Sequence, residues 1–366
     1  MSKDSRFPQK PVAQLLGSNG PIHAVSYSAS PGTYILTGSA DRSIRLYNPS
    51  PSSSTNTTTT TTTSSITTPN NNHRQSPPAN SSKPTLRTAG GDRAVFLWDV
   101  VTAQTTRRFG ATANGHSGRV NCVAFGGADD SLVISGGLDT TVRVWDARAS
   151  GGGGSKPIQV LGEAKDAVTA LAVSGAEIVA ASVDGRVRSY DVRTGRAVTD
   201  VFPASVTSLC LARDAKTVLV GSLDSKIRLM DRANGACLRT YTHDEWRNAE
   251  LRVQSVLGGR ERFVVAGDEM TSSSASAVGG DIGAEGDNNN EGRVWAWDLL
   301  TGRLVARLAV PWGVMRDGRR RVVVGRDGKE KERKNVVSCL AWKEGGSGNQ
   351  FCVGGTSGVV TVFGEG

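Results

Sequence analysis

Apolar residues in this chain come in short runs closed by Gly, Asp, Asn or Ser, and successions such as "VNCVAF", "LVISG" and "TVRVW" predict strands. Nowhere does a long stretch keep the 3.6-residue spacing that an amphipathic helix needs, so an all-β chain is expected. The pattern also repeats. "DRSIRLYN", "DRAVFLWD", "DTTVRVWD", "DGRVRSYD", "DSKIRLMD", "EGRVWAWD" and "SGVVTVFG" align, beginning at Asp41, Asp92, Asp139, Asp184, Asp224, Glu291 and Ser357. Three residues on stands Ile or Val, from Ile44 to Val360, and six residues on a large side chain: Tyr47, Trp98, Trp145, Tyr190, Met230, Trp297 or Phe363.

Two short runs rich in Val, Ile and Ala precede most copies, and "DVRTGRAV", "DRANGACL" and "DLLTGRLV" follow three of them, where a Thr-Gly or Asn-Gly pair makes a tight hairpin into a further strand. Each unit is thus a four-stranded antiparallel meander of about 40 residues. A meander apolar on both faces is unstable alone, whereas radial stacking buries both faces and leaves only short outer edges.

These features resemble the WD-repeat β-propellers, and the endings "LWDV", "VWDA" and "AWDL" carry the resemblance. It implies one seven-bladed propeller over residues 1–366. The chain ends on a motif strand and begins with a strand-like "PVAQLLG", so the N-terminal strand is expected to complete the last blade. In such repeats a buried network joins a His, a Ser or Thr, the turn Asp and the motif-strand Trp. One unit here holds all four, His116, Ser135, Asp139 and Trp145, and the other turn acids are Asp41, Asp92, Asp184, Asp224 and Glu291. A His, a Ser and an Asp in one unit suggest nucleophilic catalysis, but no strained nucleophile turn accompanies them, so a structural role is expected. In the sixth unit the insertion "TSSSASAVGGDIGAEGDNNN" leaves both Glu269 and Glu291 as candidates for the turn acid.

Among WD proteins the chain is most similar to the mitogen-activated protein kinase organiser family, through "GGDRAVFLWDV" from Gly90, "ASVDGRVRSYDVRTG" from Ala181 and "GSLDSKIRLMD" from Gly221. That resemblance implies a non-enzymatic scaffold without cofactor, metal or small-molecule substrate. It implies protein partners from a kinase module or a splicing assembly, and a prolyl hydroxylase. Two other functions are carried by particular residues. "WDAR" and "YDVR" place Arg148 and Arg193 as in substrate receptors of cullin-type ubiquitin ligases, and Arg45, Arg143, Arg188 and Arg228, at the fourth step of the motif strands, form a candidate surface ring for an acidic partner.

The net charge of +9 raises nucleic acid as a third partner, but nine basic and four acidic residues lie between Arg316 and Lys334, so about half the excess sits in one segment. That segment lacks an aromatic platform, so RNA contact is expected to be indirect or weak. The odd number of cysteines, Cys122, Cys210, Cys237, Cys339 and Cys352, without CxxC spacing, fits free thiols in a reducing compartment. With no apolar leader or membrane-length run, cytoplasm and nucleus are the expected sites.

One stretch breaks the pattern. "SPSSSTNTTTTTTTSSITT" cannot pack a core, yet the motif strands at Asp41 and Asp92 lie 51 residues apart, against 47 and 45 for the next two intervals. A true insertion lengthens an interval by its own size. Residues 50–82 therefore replace most of the first blade's outer strand and the second blade's inner strand, with "KPTLRTAGG" as the remnant. Either the second blade is incomplete and locally weak, or the translated sequence departs from the expressed one here. By contrast 271–290 and 313–334 read as loop insertions, tolerated because closure cost grows only logarithmically with length.

Overall fold

The structure, a computed structural model, describes residues 7–28, 32–48, 66–67, 85–89, 93–100, 102–110, 114–127, 130–149, 156–269, 291–313, 334–343 and 349–365. Its regular elements are all strands.

The strands fall into six four-stranded antiparallel sheets and one of three strands. After β1 (Lys10–Leu15), the first sheet holds β2 (Ile22–Tyr27), β3 (Ile35–Ser39), β4 (Ser43–Tyr47) and β5 (Ile66–Thr67). The second holds β6 (Thr85–Ala89), β7 (Val95–Asp99) and β8 (Gln104–Phe109), and the third β9 (Val120–Gly126), β10 (Leu132–Gly137), β11 (Val142–Asp146) and β12 (Gln159–Leu161). The fourth comprises β13 (Val168–Ser174), β14 (Glu177–Ser182), β15 (Arg186–Asp191) and β16 (Ala197–Val201), and the fifth β17 (Val206–Leu211), β18 (Thr217–Ser222), β19 (Lys226–Asp231) and β20 (Cys237–Tyr241). The sixth is β21 (Ser255–Gly258), β22 (Phe263–Gly267), β23 (Gly292–Asp298) and β24 (Leu304–Val310). The last takes β25 (Val337–Trp342), β26 (Gln350–Gly355) and β27 (Val360–Gly364), and β1 returns to pair with β27 from Lys10↔Gly364 to Leu15↔Val360. Both ends of the chain thus share one sheet.

Motif strands occupy the third position of each full sheet, and the hairpins after them turn where the sequence places glycine. Gly195, Gly235 and Gly302 have φ of 69°, 69° and 71°, a region that costs glycine no strain.

Apolar clusters join each sheet to the next and close a ring. Leu36 and Ile44 of the first sheet meet Trp98 of the second. Val95, Leu97 and Phe109 of the second meet Val120, Val123 and Trp145 of the third. The chain of contacts runs on through the third to sixth sheets. It then passes through Val265, Val294, Val337 and Val353, and ends where Cys339, Cys352 and Val362 pack on Ile22, Val25 and Ile35. The fold is an all-β propeller.

The second sheet departs from the others. Its β7 carries the motif and pairs outward with β8 and inward with β6, and among the described residues no strand lies inside β6. The outer position of the first sheet is held by two residues, Ile66 and Thr67, paired with Ile44 and Ser43. Residues 271–290 lie outside the described residues, as do 314–333.

Candidate functional site

Each sheet brings its polar motif residues to one edge of the ring, where inner strands begin and the turns between second and third strands lie. In the third sheet Trp145 Nε1–H donates to Ser135 Oγ (2.8 Å), Ser135 Oγ lies 2.8 Å from His116 Nε2, and His116 Nδ1 lies 2.8 Å from Asp139 Oδ1. A carboxylate can only accept, so Nδ1 holds the proton and Nε2 accepts the Ser135 hydroxyl proton. The second Asp139 oxygen accepts the Ser117 N–H (2.9 Å), and Thr141 Oγ1–H donates to the first (2.9 Å). His116 has no exposed side-chain surface and Ser135 is fully buried, so a Ser-His-Asp chain of catalytic appearance closes on a Trp instead of opening to solvent. A Cβ at Gly137 would meet Asp139 Oδ1 at 2.5 Å and His116 Nδ1 at 2.6 Å, and glycine leaves the imidazole its space.

Where the His is absent, Arg replaces it. In the fourth sheet Arg188 Nη2–H donates to Asp184 Oδ2 (2.7 Å) and Nη1–H to Ser182 Oγ (2.9 Å). In the fifth sheet Arg228 Nη1–H donates to Ser222 Oγ (2.8 Å) and pairs with Asp224, and in the first Arg45 pairs with Asp41 at 2.8 Å and donates to Ser43. The Ser of each Ser-x-Asp stands where the third sheet has Gly137. Arg143 is also turned inward, onto Thr141 Oγ1 (3.2 Å) and 3.6 Å from Asp139. The expected surface ring of Arg45, Arg143, Arg188 and Arg228 is therefore corrected: the sheets cover one another, and these guanidiniums neutralise turn acids inside the ring.

The sixth sheet resolves the other open position. Glu269, fully buried, accepts the N–H groups of Glu250 (2.9 Å) and Leu251 (2.6 Å), while Asp268 accepts Trp295 Nε1–H (2.9 Å). The turn-acid role belongs to Glu269 and not to Glu291, because Glu269 stands two residues after the end of β22 at Gly267 and its longer side chain reaches the amides. With Ala266 where Ser135 stands in the third sheet, Trp297 Nε1 is buried without a partner. Asp92 lies outside the described residues.

These contacts set the response to acid. Burial works to raise the Asp184 carboxyl, but hydrogen bonds from Arg188, Ser182 and the Lys165 N–H, with the Arg188 charge, outweigh it and hold it at about 2, below its ordinary 3.8. Asp41, Asp139 and Asp224 are lowered in the same way, against the same burial. A carboxyl depressed in the fold stabilises it fully above the unfolded value and loses that contribution as pH falls through the folded one. The melting temperature should hold from neutrality to roughly pH 4 and fall steeply toward pH 2, with Asp184→Asn melting lower at pH 7 and converging on the native protein near pH 2. Parallel melting curves for the two across that window would contradict this.

A second polar system runs around the inner strands. Asn121 Nδ2–H donates to the Val168 carbonyl (3.0 Å), Thr169 Oγ1–H to Val206 (2.7 Å), Thr207 Oγ1–H to Val253 (3.4 Å) and Ser338 Oγ–H to Ile22 (3.5 Å). Between the sixth and last sheets Gln254 N–H donates to the Ser338 carbonyl (3.1 Å). Arg252 donates to the Thr207 and Asn121 carbonyls (3.3 and 3.1 Å), joining the sixth sheet to the fifth and third. His23 is the corresponding residue of β2, whose next neighbour is the second sheet. Enclosure by the inner strands, and then the charge of Arg119, lower its imidazole below the ordinary value.

On the opposite edge Arg148 and Arg193 are exposed at corresponding turns of neighbouring sheets, their N–H groups bonded to Asp146 Oδ1 (2.7 Å) and Asp191 Oδ1 (2.9 Å). Cys122, Cys339 and Cys352 are buried, Cys210 is half-buried and Cys237 exposed. Cys122 and Cys339 stand at matching places, each with its thiol on a second-strand carbonyl, Gly136 (3.7 Å) or Gly354 (3.2 Å).

The meander sheets, the ring and the His-Ser-Asp-Trp network define a WD-repeat β-propeller. The family model for the WD domain, G-beta repeat, matches residues 9–48 and 107–146. The chain is a WD-repeat protein with resemblance to the mitogen-activated protein kinase organiser. It is similar to the WD repeat domain-containing protein 83 homolog of Dictyostelium discoideum, 24% identical over 323 residues, covering 81% of this chain and 87% of that one. It is 35% identical over 158 residues to WD repeat domain-containing protein 83 of Rattus norvegicus, a match that spans 43% of this chain and less than half, 42%, of the rat protein. The guanine nucleotide-binding protein subunit beta of Zea mays is 28% identical over 155 residues, 42% of this chain and 40% of that one.

Proposed function

We propose that this protein is a non-enzymatic scaffold, a seven-bladed propeller with an incomplete second blade, that assembles protein complexes in mitogen-activated protein kinase signalling or pre-mRNA splicing, in cytoplasm and nucleus. The observation that carries the reading is the fate of its one catalytic-looking constellation: His116, Ser135 and Asp139 satisfy each other and Trp145 beneath the surface, while the loops of both edges stay available for docking. The similarity to WD repeat domain-containing protein 83 supports the same class. Affinity purification with mass spectrometry tests it. Recovery of kinase-module, prolyl hydroxylase or spliceosomal proteins is the expected result, and recovery of none of them rejects the assignment.

A ubiquitin-ligase receptor is the second reading, favoured by the exposure of Arg148 and Arg193 at equivalent turns. Under it the ligase adaptor co-purifies and is lost at least tenfold on Arg148→Ala with Arg193→Ala, with the melting temperature unchanged because both side chains are on the surface. Adaptor recovery unaffected by the double change eliminates it. The RNA reading of Arg316–Lys334 falls almost wholly outside the described residues; binding that is absent at low salt, or that survives deletion of 316–334, rejects it.

A further inference from the structure

Outer strands carry the free edges of this ring, and their pairing shows how most of those edges are guarded. In β1, β8, β20 and β24 the register slips by one residue, leaving Val12, Thr106, Leu238 and Val305 as bulges. A bulge twists an edge away from any strand that would extend it. Side chains also tie three of these strands to their neighbours: Arg107 donates to the Asp146 and Ala147 carbonyls, Arg239 donates to the Thr301 carbonyl, and Arg307 pairs with Glu245. β5 and β12 offer only two and three residues. Among the described residues β16 alone has none of these devices: it is five residues long and pairs in unbroken register from Tyr190↔Ala197 to Arg186↔Val201.

The β16 edge is also equipped to receive another strand. Phe202 N–H donates to the Gly185 carbonyl (2.7 Å) and Asp191 N–H to the Arg196 carbonyl (2.9 Å), so alternate residues face β15 and the main-chain groups of Ala197, Thr199 and Val201 point outward. Val198 is 60% exposed and Val201 71%, an apolar edge left in water. Arg196, Val198 and Asp200 share one face of the strand. Arg196 is exposed and Asp200 half-buried beside Gly235, and among the described residues no hydrogen bond or ion pair holds either side chain. Burial without a cation raises the Asp200 carboxyl above its ordinary value.

We propose that β16 is a self-association site, at which a second copy of the chain adds its own β16 antiparallel and makes a two-fold dimer with one continuous eight-stranded sheet. The charges select the register. Centred on Val198, the pairing sets Val198 against its counterpart, Ala197 against Thr199 and Arg196 against Asp200, each of the last two occurring twice by symmetry. Ala197 and Thr199 then exchange the outward main-chain bonds, and each half-buried Asp200 gains the guanidinium of the other copy. Centring on Thr199 would instead set Asp200 opposite Val198 and diagonal to the second Asp200. A single short strand buries less than the roughly 1,200 Å² of stable interfaces, so the dimer is weak and forms at high local concentration. The association belongs to the chain alone and stands whichever complexes the scaffold assembles.

Sedimentation velocity of the full chain from about 5 to 500 µM is the test, and a monomer–dimer equilibrium is the expected result. Thr199→Pro should weaken it about tenfold or more at an unchanged melting temperature, because the Thr199 N–H points outward and its loss spares the ladder to β15. Arg196→Asp and Asp200→Lys should each stay monomeric, since like charges then face each other twice. An equimolar mixture of these two variants should dimerise, because every facing pair is again opposite in sign. This rescue by mixing separates a lost contact from a lost fold. A native chain that stays monomeric throughout, a dimer indifferent to Thr199→Pro, charge variants that dimerise as the native chain does, or variants that fail to associate on mixing overturns the proposal.

Discussion

A chain lacking residues 1–16 should lose most of its stability, with a melting temperature at least 15 °C lower, because two buried anchors and one strand leave together. Leu15 is 3% exposed and packs between the first and last sheets. Phe7, 6% exposed, lies 5.2 Å from the Phe263 ring and 5.5 Å from Phe351. Emptying a buried Leu costs about 2–5 kcal/mol and a buried Phe about 3–5, and a whole domain is stable by only about 5–15. The truncation also uncovers β27, buried along its whole length, as a flat apolar edge prone to self-association. Phe7→Ala and Leu15→Ala should each reproduce part of the loss, and a peptide of residues 5–17 added to the truncated chain should restore part of it. Coincident unfolding curves for full and truncated chains would show that β1 does not close the ring.

The closure was legible because it needs only counting: a chain that ends on a third strand owes a fourth, and "PVAQLLG" was the unpaired candidate. The motif strands were legible because a turn acid, a branched residue and a large ring recur at fixed steps. The inward arginines were not. Alternation along a strand ordinarily separates a covered face from a wet one, but neighbouring sheets here cover both faces, and Arg188 is as buried as Val187 beside it. A local signal did exist. Ser-x-Asp followed four residues on by Arg marks the first, fourth and fifth sheets, whereas Gly137-x-Asp139 marks the sheet with a His. The choice between Glu269 and Glu291 stayed open because the role falls to the residue before an insertion, and period alone cannot show on which side of an insertion the turn closes.

Asp139→Ala should cost about 3–5 kcal/mol in chemical denaturation, the largest loss of any single polar change in the third sheet. It removes the carboxylate acceptor of His116 Nδ1–H, of the Ser117 N–H and of Thr141, and leaves the buried imidazole Nδ1 only the longer contact to Thr141 Oγ1 (3.3 Å). His116→Ala should cost a similar amount, and the double change much less than the sum, by about 1–3 kcal/mol, because either single change breaks the same network. The fourth sheet should behave differently. Asp184→Ala leaves the Arg188 guanidinium, 5% exposed, without its counter-charge, and adding Arg188→Met should restore most of the loss by removing the stranded cation. Additive losses in the third sheet, or no rescue in the fourth, would mean that these residues act independently. Rescue by methionine in one sheet and a shared loss in the other would mean that two chemistries hold the same turn: a hydrogen-bond chain that reaches the turn carboxylate through His, and an ion pair built on Arg.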